Sequence, residues 1–365
     1  MNQLNSNIIR LCNLVGISSR EHEVAKDVQQ AFTALGYDVY TDVIGNVVAH
    51  NKASNGKTTS KVLIFAHMDE IGFIIRKVEK SGFIRFERLG GVNTQILPGT
   101  KVKIMGTKGV VSGVIGVKSH HFMPANEKFI VPQINEMYID AFVNSAEELS
   151  DHGVEVGTFI ALDSEARIVN EKYIVGKTLD NRVCMAVLYE LAALVKNNKF
   201  NYDLYFCFPV MEEFNIRGIM PVIRKIRPDI TIGLDITPAN DTPDLDYNDI
   251  ALGKGPAVTC MNFHAGGTLA GVLPDKDLFD LVRISAKNKK IDLQLEVAPG
   301  VITENAFILF ENEGVKVVNL SIPTRYTHTS NETMMLSDIE KMIELLIQFL
   351  QVELRNFIEE RKEEL

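Results

Sequence analysis

The chain has no tryptophan and only four cysteines among its 365 residues. Cys12, Cys184, Cys207 and Cys260 lie far apart without a C-x-x-C pair, which excludes a thiolate zinc site and a disulfide framework and fits reduced, mostly buried thiols. Any metal must then be held by histidine and carboxylate. Basic tracts are missing too. The formal net charge is −9 and the pI about 5.5, whereas a phosphate-binding groove needs clustered Lys and Arg, so a nucleic-acid partner is not expected. No apolar run is long enough to span a bilayer, and residues 1–14 lack the charged start and unbroken apolar stretch of a secretory signal. The protein is expected in the cytoplasm, without a membrane partner. Internal repeats and low-complexity segments are absent.

What is present is enough chain for more than one core. At 365 residues, either two domains or one domain with a large insertion is expected. Ser18 and Glu21 stand in S-x-x-E spacing, a capping box, and Val24, Val28, Phe32 and Leu35 follow at helical spacing until Gly36. Residues 37–49 read as a strand pair turning near Gly45 and Asn46. The polar loop 51–60 leads into the apolar run 62–66, a buried strand.

From 71 to 168 the texture changes. Short β-prone runs over 73–78, 83–86 and 101–105 are punctuated by Gly82, Gly90, Gly91, Gly99, Gly106, Gly109 and Gly113, and helical periodicity nearly vanishes. This predicts an inserted all-β domain, a small sandwich or barrel. After 172 an α/β rhythm returns: a helix over 182–195, a strand over 204–210, a helix over 218–226, strands over 230–234 and 315–322, and a long amphipathic helix over 337–358. Alternating strands and helices imply a mixed, mostly parallel sheet sandwiched by helices. The expected fold class is therefore α/β, built from residues 1–70 and 169–365, with 71–168 as the insert.

The residues that carry chemistry fall near the predicted strand ends. His67-Met68-Asp69 follows the buried strand, and strand alternation points His67 and Asp69 one way and Met68 the other. A strand-end histidine is more often a hydrogen-bonded core residue than a ligand. Asp180 precedes a helix, where an aspartate is ordinarily an N-cap. Glu212 and Glu213 follow the strand over 204–210; they are either a solvated pair or a ligand beside a group that faces substrate. Asp235 follows the strand over 230–234, where a turn acid is the plain reading. His328 lies past the strand over 315–322, where a surface histidine is the plain reading.

The combination outweighs these separate readings. Five candidate ligands, His67, Asp180, Glu213, Asp235 and His328, all fall at or near sheet-strand ends, where open α/β sheets build their binding sites. Two histidines and three carboxylates without cysteine suit two divalent ions, Zn²⁺ or Co²⁺ first and Mn²⁺ also, about 3.5–4 Å apart across a shared carboxylate.

These motifs resemble the M42 family of metallo-aminopeptidases, which includes the tetrahedral and glutamyl aminopeptidases. The likeness runs over nearly the whole chain: His67-Met68-Asp69-Glu70, Leu179-Asp180-Asn181-Arg182, Glu212-Glu213 with Arg217-Gly218, Leu234-Asp235-Ile236-Thr237, Leu252-Gly253-Lys254-Gly255-Pro256, and Pro323-Thr324-Arg325-Tyr326 leading to His328. The resemblance implies that His67 and Asp235 bind one ion, Glu213 and His328 the other, and that Asp180 bridges. It implies that Asp69 orients His67 and that Glu212 is the general base. It further implies a zinc-peptidase-like α/β domain with a barrel-like dimerisation insert, and a homo-oligomer in which dimers assemble to a dodecamer. The chain departs from the family pattern at Ile302-Thr303-Glu304-Asn305, where Gly-Thr-Asp-Ala is usual. It departs also at Asn215 and Cys184, where glycine is common, and at His120-His121, where Pro-His is frequent.

The expected reaction is removal of N-terminal residues from short peptides by a water shared between two ions, with Glu212 taking its proton and returning it to the departing amine. The alternatives are a related two-metal amidohydrolase, such as a carboxypeptidase or an acylamino-acid deacylase, and a non-catalytic homologue.

Overall fold

The computed structural model describes residues 3–53, 60–243, 245, 247–264 and 270–363, the last three by backbone alone. Of the polar loop expected over 51–60, residues 54–59 lie outside the described residues.

The main sheet has nine strands among the described residues. Its centre is parallel: Asp203–Phe208, Lys61–Phe65, Ile230–Pro238 and Lys316–Thr324 lie side by side in that order. These runs read KVLIF, DLYFCF and ITIGLDITP, apolar on both faces because helices cover both sides. Antiparallel strands finish the edges. Val47–Asn51 and Asp38–Thr41 lie beyond Asp203–Phe208, and Ala257–His264 with Ala270–Val272 lies beyond Lys316–Thr324. Gln294–Pro299 pairs in parallel with Ala257–His264. The strand Ala257–His264 and the helix Lys276–Lys289 carry no regular alternation strong enough to predict them.

On one face a large core joins helices Gln3–Asn13, His22–Leu35, Leu179–Val195 and Leu336–Gln348. Phe32 sits at its centre, edge-on to Tyr189 and Phe208 at 5.3 and 5.1 Å between ring centroids; burial of one such ring stabilises by roughly 1.5–3 kcal/mol. A smaller core around Leu63, Phe65, Ile219 and Ile223 covers the other face. Helix Leu179–Val195 is buried along nearly its whole length, so its sequence is apolar all round.

The insert is a closed six-stranded barrel whose strands run in the order Gly72–Val78, Ile84–Leu89, Ile139–Asp140, Gly109–Ile115, Lys101–Gly106 and Phe159–Leu162. Phe73, Phe86, Ile104, Ile139 and Ile160 fill it. Closure removes the exposed edges that an open sheet of this length would carry. Arg167–Val169 belongs instead to a three-stranded sheet with Tyr173–Gly176 and Glu332–Met335.

One local expectation is corrected, and the long helix is found with a wide π-helical turn inside it. Ser18 and Glu21 form no capping box: helix His22–Leu35 begins without a side-chain cap. Ser18 Oγ instead donates to Asp69 at 2.6 Å, and Glu21 accepts from the N–H groups of Ser19 and Met211. The single long helix over 337–358 is Leu336–Gln348, a wide turn over Phe349–Glu353, and Leu354–Glu363. Gly36 ends the second helix as expected, at φ +90°, where a Cβ would be strained.

Candidate metal centre

All of the sequence-predicted site residues converge at the carboxyl edge of the parallel strands. His67 follows Lys61–Phe65, Glu212 and Glu213 follow Asp203–Phe208, and His328 follows Lys316–Thr324. Asp235 lies within Ile230–Pro238, which runs four residues further than its apolar pattern suggested. Asp180 does not cap its helix. Asp180 and Asn181 are non-helical, and the peptide between them is cis. Asn181 Nδ2 donates to the Leu234 carbonyl at 2.8 Å, tying this segment to the strand that carries Asp235.

Asp180 stands at the middle of the cluster. Its Oδ1 is 3.2 Å from His67 Nε2 and its Oδ2 is 3.2 Å from His328 Nε2. Glu213 Oε1 is 3.5 Å from His328 Nε2, and Glu212 Oε2 is 3.9 Å from His67 Nε2. Three triads bring their ligand atoms within 4.8 Å of one another: His67, Asp180 and Asp235; Asp180, Glu213 and His328; and His67, Glu212 and Glu213. The first two share Asp180.

The surroundings fix these groups from outside. His67 Nδ1 lies 3.2 Å from the Asp69 carbonyl oxygen and 3.4 Å from its carboxylate. The Asp69 carboxylate accepts from the N–H groups of Glu212 and Glu213 at 2.8 and 3.0 Å, so one residue sets both the imidazole and the acidic turn. His328 Nδ1 meets the Gly91 carbonyl at 3.0 Å. A Cβ on Gly91 would sit 3.0 Å from that same nitrogen, so a larger residue there would press on His328. Thr178, Met211 and His328 have φ of +57°, +54° and +60°, a clustering of left-handed backbone at the site.

Two residues were given no role from the sequence. Glu332 accepts from the Asp180 N–H at 3.1 Å and from the His328 N–H at 2.7 Å, holding two of the cluster's members at once. Glu304 is buried within electrostatic reach of His67 and Asp235, and its Oε1 has no hydrogen-bond partner. In sequence Glu332 is indistinguishable from a loop acid, and Glu304 stood out only as part of the Ile302–Asn305 departure. Glu70 and Lys177 were visible only as motif letters. They form a buried ion pair at 2.6 Å, and Glu70 also accepts from the Gly16 N–H.

The electrostatics test whether cations fit. Burial pushes Asp235 up to about 8, helped by the negative charge of Asp180. Burial pushes Glu213 up to about 7 against the pull of His328, and raises Glu212 well above the usual range. Glu332 rises to about 8 through burial and Asp180. Burial acts against the charged form of His67 too, but Asp180 and Asp69 lift it well above its ordinary value, and Glu213 does the same for His328. Asp180 is the exception: its burial is outweighed by the two imidazoles, which hold it below the usual carboxylate range. The cluster thus has more buried carboxylates than its imidazoles can balance, and Asp180 Oδ1 is a buried oxygen accepting no aligned hydrogen bond. Divalent cations supply the missing positive charge, and imidazole with carboxylate is a donor set for Zn²⁺, Co²⁺ or Mn²⁺. Cys184 Sγ donates to the Asp235 carbonyl and is kept protonated by burial, so it competes poorly as a ligand.

The family model described as M42 glutamyl aminopeptidase matches residues 45–345. SgcX of Escherichia coli (strain K12) is 40% identical over 331 residues, 90% of this chain and 88% of that protein. The aminopeptidase APDkam598 of the archaeon Desulfurococcus kamchatkensis superposes with a TM-score of 0.89 at 30% identity, covering 96% of this chain and 95% of that one. The TET1 peptidase of Pyrococcus horikoshii, which can assemble into a tetrahedron or a large octahedral shell, superposes with a TM-score of 0.83 at 25% identity, covering 96% of this chain and all of that one.

Proposed function

Because the chain belongs to the M42 family of metallo-aminopeptidases, we propose that it removes N-terminal residues from short peptides using a divalent metal pair held by His67, Asp180, Glu213, Asp235 and His328. The observation that carries this reading is Asp180, whose two oxygens each face a different imidazole at 3.2 Å. In the proposed arrangement His67 and Asp235 hold one ion, Glu213 and His328 the other, and Asp180 both. Bound there, the pair lowers the pKa of water to about 7 and polarises the peptide carbonyl.

The chain's own groups do the rest. Glu212 faces the same space from beside His67, and its burial raises its carboxyl well above the ordinary carboxylate range. It takes a proton from the attacking water and returns it to the departing amine. Asp69 keeps the His67 ring in place and, through the N–H groups of Glu212 and Glu213, keeps base and ligand in register.

Residues 1–70 with 169–365 are taken as the peptidase unit and 71–168 as the insert through which subunits pair. Phe122, Phe129 and Phe142 are largely exposed on that insert, which supports pairing there. A homo-oligomer, with a dodecamer as its complete form, is the assembly this reading favours; it is the form in which PhTET1 has been solved. Among the described residues no helix is long and apolar enough to cross a membrane. The free thiols fit a reducing compartment, and the cytoplasm is the proposed site of action.

The test compares an amino-acid anilide with its N-acetylated form after loading with Zn²⁺, Co²⁺ or Mn²⁺. Metal-dependent cleavage of the free-amine substrate alone is expected. Release of acetate from the N-acetylated form, its anilide bond left intact, would make the protein a deacylase, and no turnover of either would support a non-catalytic homologue.

A further inference from the structure

We infer that the site takes peptides whose first residue carries an uncharged, apolar side chain. This rests on the aminopeptidase reading above and adds the substrate class to it.

A cavity of about 510 Å³ opens beside the candidate ligands, and its walls have two chemistries. The carboxylates and imidazoles of the metal centre form one. Ile216, Ile236, Pro238, Val301 and Ile302 form much of the other. Two of these sit just after the chemical groups: Ile216 is three residues past Glu213, and Ile236 directly follows Asp235. An apolar surface therefore begins where the first substrate residue would leave the metal centre.

The remaining part of that wall is held firmly. Val301 and Ile302 connect strand Gln294–Pro299 to helix Asn305–Ile308. Thr303 Oγ1 accepts from Asn319 Nδ2 at 2.7 Å, Asn305 Nδ2 donates to the Val318 carbonyl at 3.1 Å, and Thr231 Oγ1 donates to Asn305 at 2.8 Å. These buried hydrogen bonds fix the residues directly after Ile302 to the sheet, so the wall cannot easily give way to a polar group.

Outside the metal centre the wall also carries Asn215, His264 and Thr327, and what it lacks is a fixed charge. Among the described lining residues there is no lysine or arginine, and every carboxylate belongs to the metal centre. A glutamyl side chain would lose its water and meet only the His264 imidazole as a basic partner, and among the described lining residues a lysyl side chain would find no carboxylate outside the cluster. Glu304, the nearest further acid in sequence, is buried and does not line the cavity. Burying an unpaired charge is costly, whereas an aliphatic side chain gains from the same surface.

The test measures kcat/KM for the leucine, glutamate and lysine anilides on the metal-loaded enzyme and on Ile302→Arg, with metal content and circular dichroism checked for both. The wild type should prefer leucine by about 100-fold over either charged substrate. Ile302→Arg should shift the leucine-to-glutamate ratio at least about tenfold toward glutamate. A wild-type preference for leucine below tenfold, or an unchanged ratio in a folded, fully loaded Ile302→Arg, overturns the inference while leaving the aminopeptidase reading intact. Absence of cleavage of all three by fully loaded enzyme overturns both.

Discussion

Nε2 of His67 and Nε2 of His328 stand on opposite oxygens of the same carboxylate, Asp180, each at 3.2 Å. In the proposed metal pair Asp180 would be the shared ligand, on which both positions would depend. Asp180→Ala should therefore lose both ions together. Elemental analysis of the purified variant, folded by circular dichroism, is expected to find little metal; full occupancy would exclude a bridging role.

Glu212→Gln keeps the shape of the side chain and removes its ability to accept a proton. Metal content should stay normal while kcat falls by about 100-fold or more, the usual scale for a general base. Turnover within a few-fold of the wild type would mean that another group moves the proton, or that Glu212 serves instead as a ligand in the triad with His67 and Glu213.

Much of this cluster was legible in sequence, because His67, Glu212, Glu213 and Asp235 follow or sit within strands whose apolar runs announce them. His67 after KVLIF and Glu212-Glu213 after DLYFCF are cases in point. Asp180 was ambiguous, since an acid before a helix is ordinarily a cap and only the fold brings it between two histidines. Glu332 was invisible. Its role depends on the three-stranded sheet that sets Glu332–Met335 against Tyr173–Gly176, a pairing of distant segments that no local pattern encodes. Ser18 and Glu21 misled for the same reason: their spacing suits a capping box, but the acidic edge of the sheet offers better partners.

Glu332→Ala tests that hidden contribution. It would leave the N–H groups of Asp180 and His328 without their acceptor, loosening the proposed shared ligand and one ligand of the second position. Metal affinity, measured by competition with a chromophoric chelator, should weaken about 10- to 100-fold. Unchanged affinity would make Glu332 a bystander.

The Glu70–Lys177 pair predicts a stability effect separate from catalysis. Both side chains are almost wholly buried. Lys177→Met would strand the Glu70 charge and should cost about 3–5 kcal/mol in urea unfolding. The double variant Glu70→Gln with Lys177→Met should cost clearly less, since no unpaired charge remains. Equal losses would contradict the assignment of the cost to the stranded charge.

Thiol reactivity reports on the cores. Burial pushes the Cys12 thiol up to about 12 and raises those of Cys184 and Cys207 well above the ordinary range, whereas Cys260 is only partly buried. At pH 8 an aromatic disulfide reagent should modify Cys260 first, and the other three only on unfolding in guanidinium. Rapid native-state modification of Cys12 would place the first helix wrongly.

The most direct measurement is an anomalous difference map from crystals of the protein loaded with Zn²⁺ or Co²⁺. Two strong peaks about 3.5–4 Å apart are expected, one beside His67 and Asp235 and one beside Glu213 and His328, with an oxygen of Asp180 against each. A single peak, or a pair that leaves Asp180 unliganded, would contradict the account.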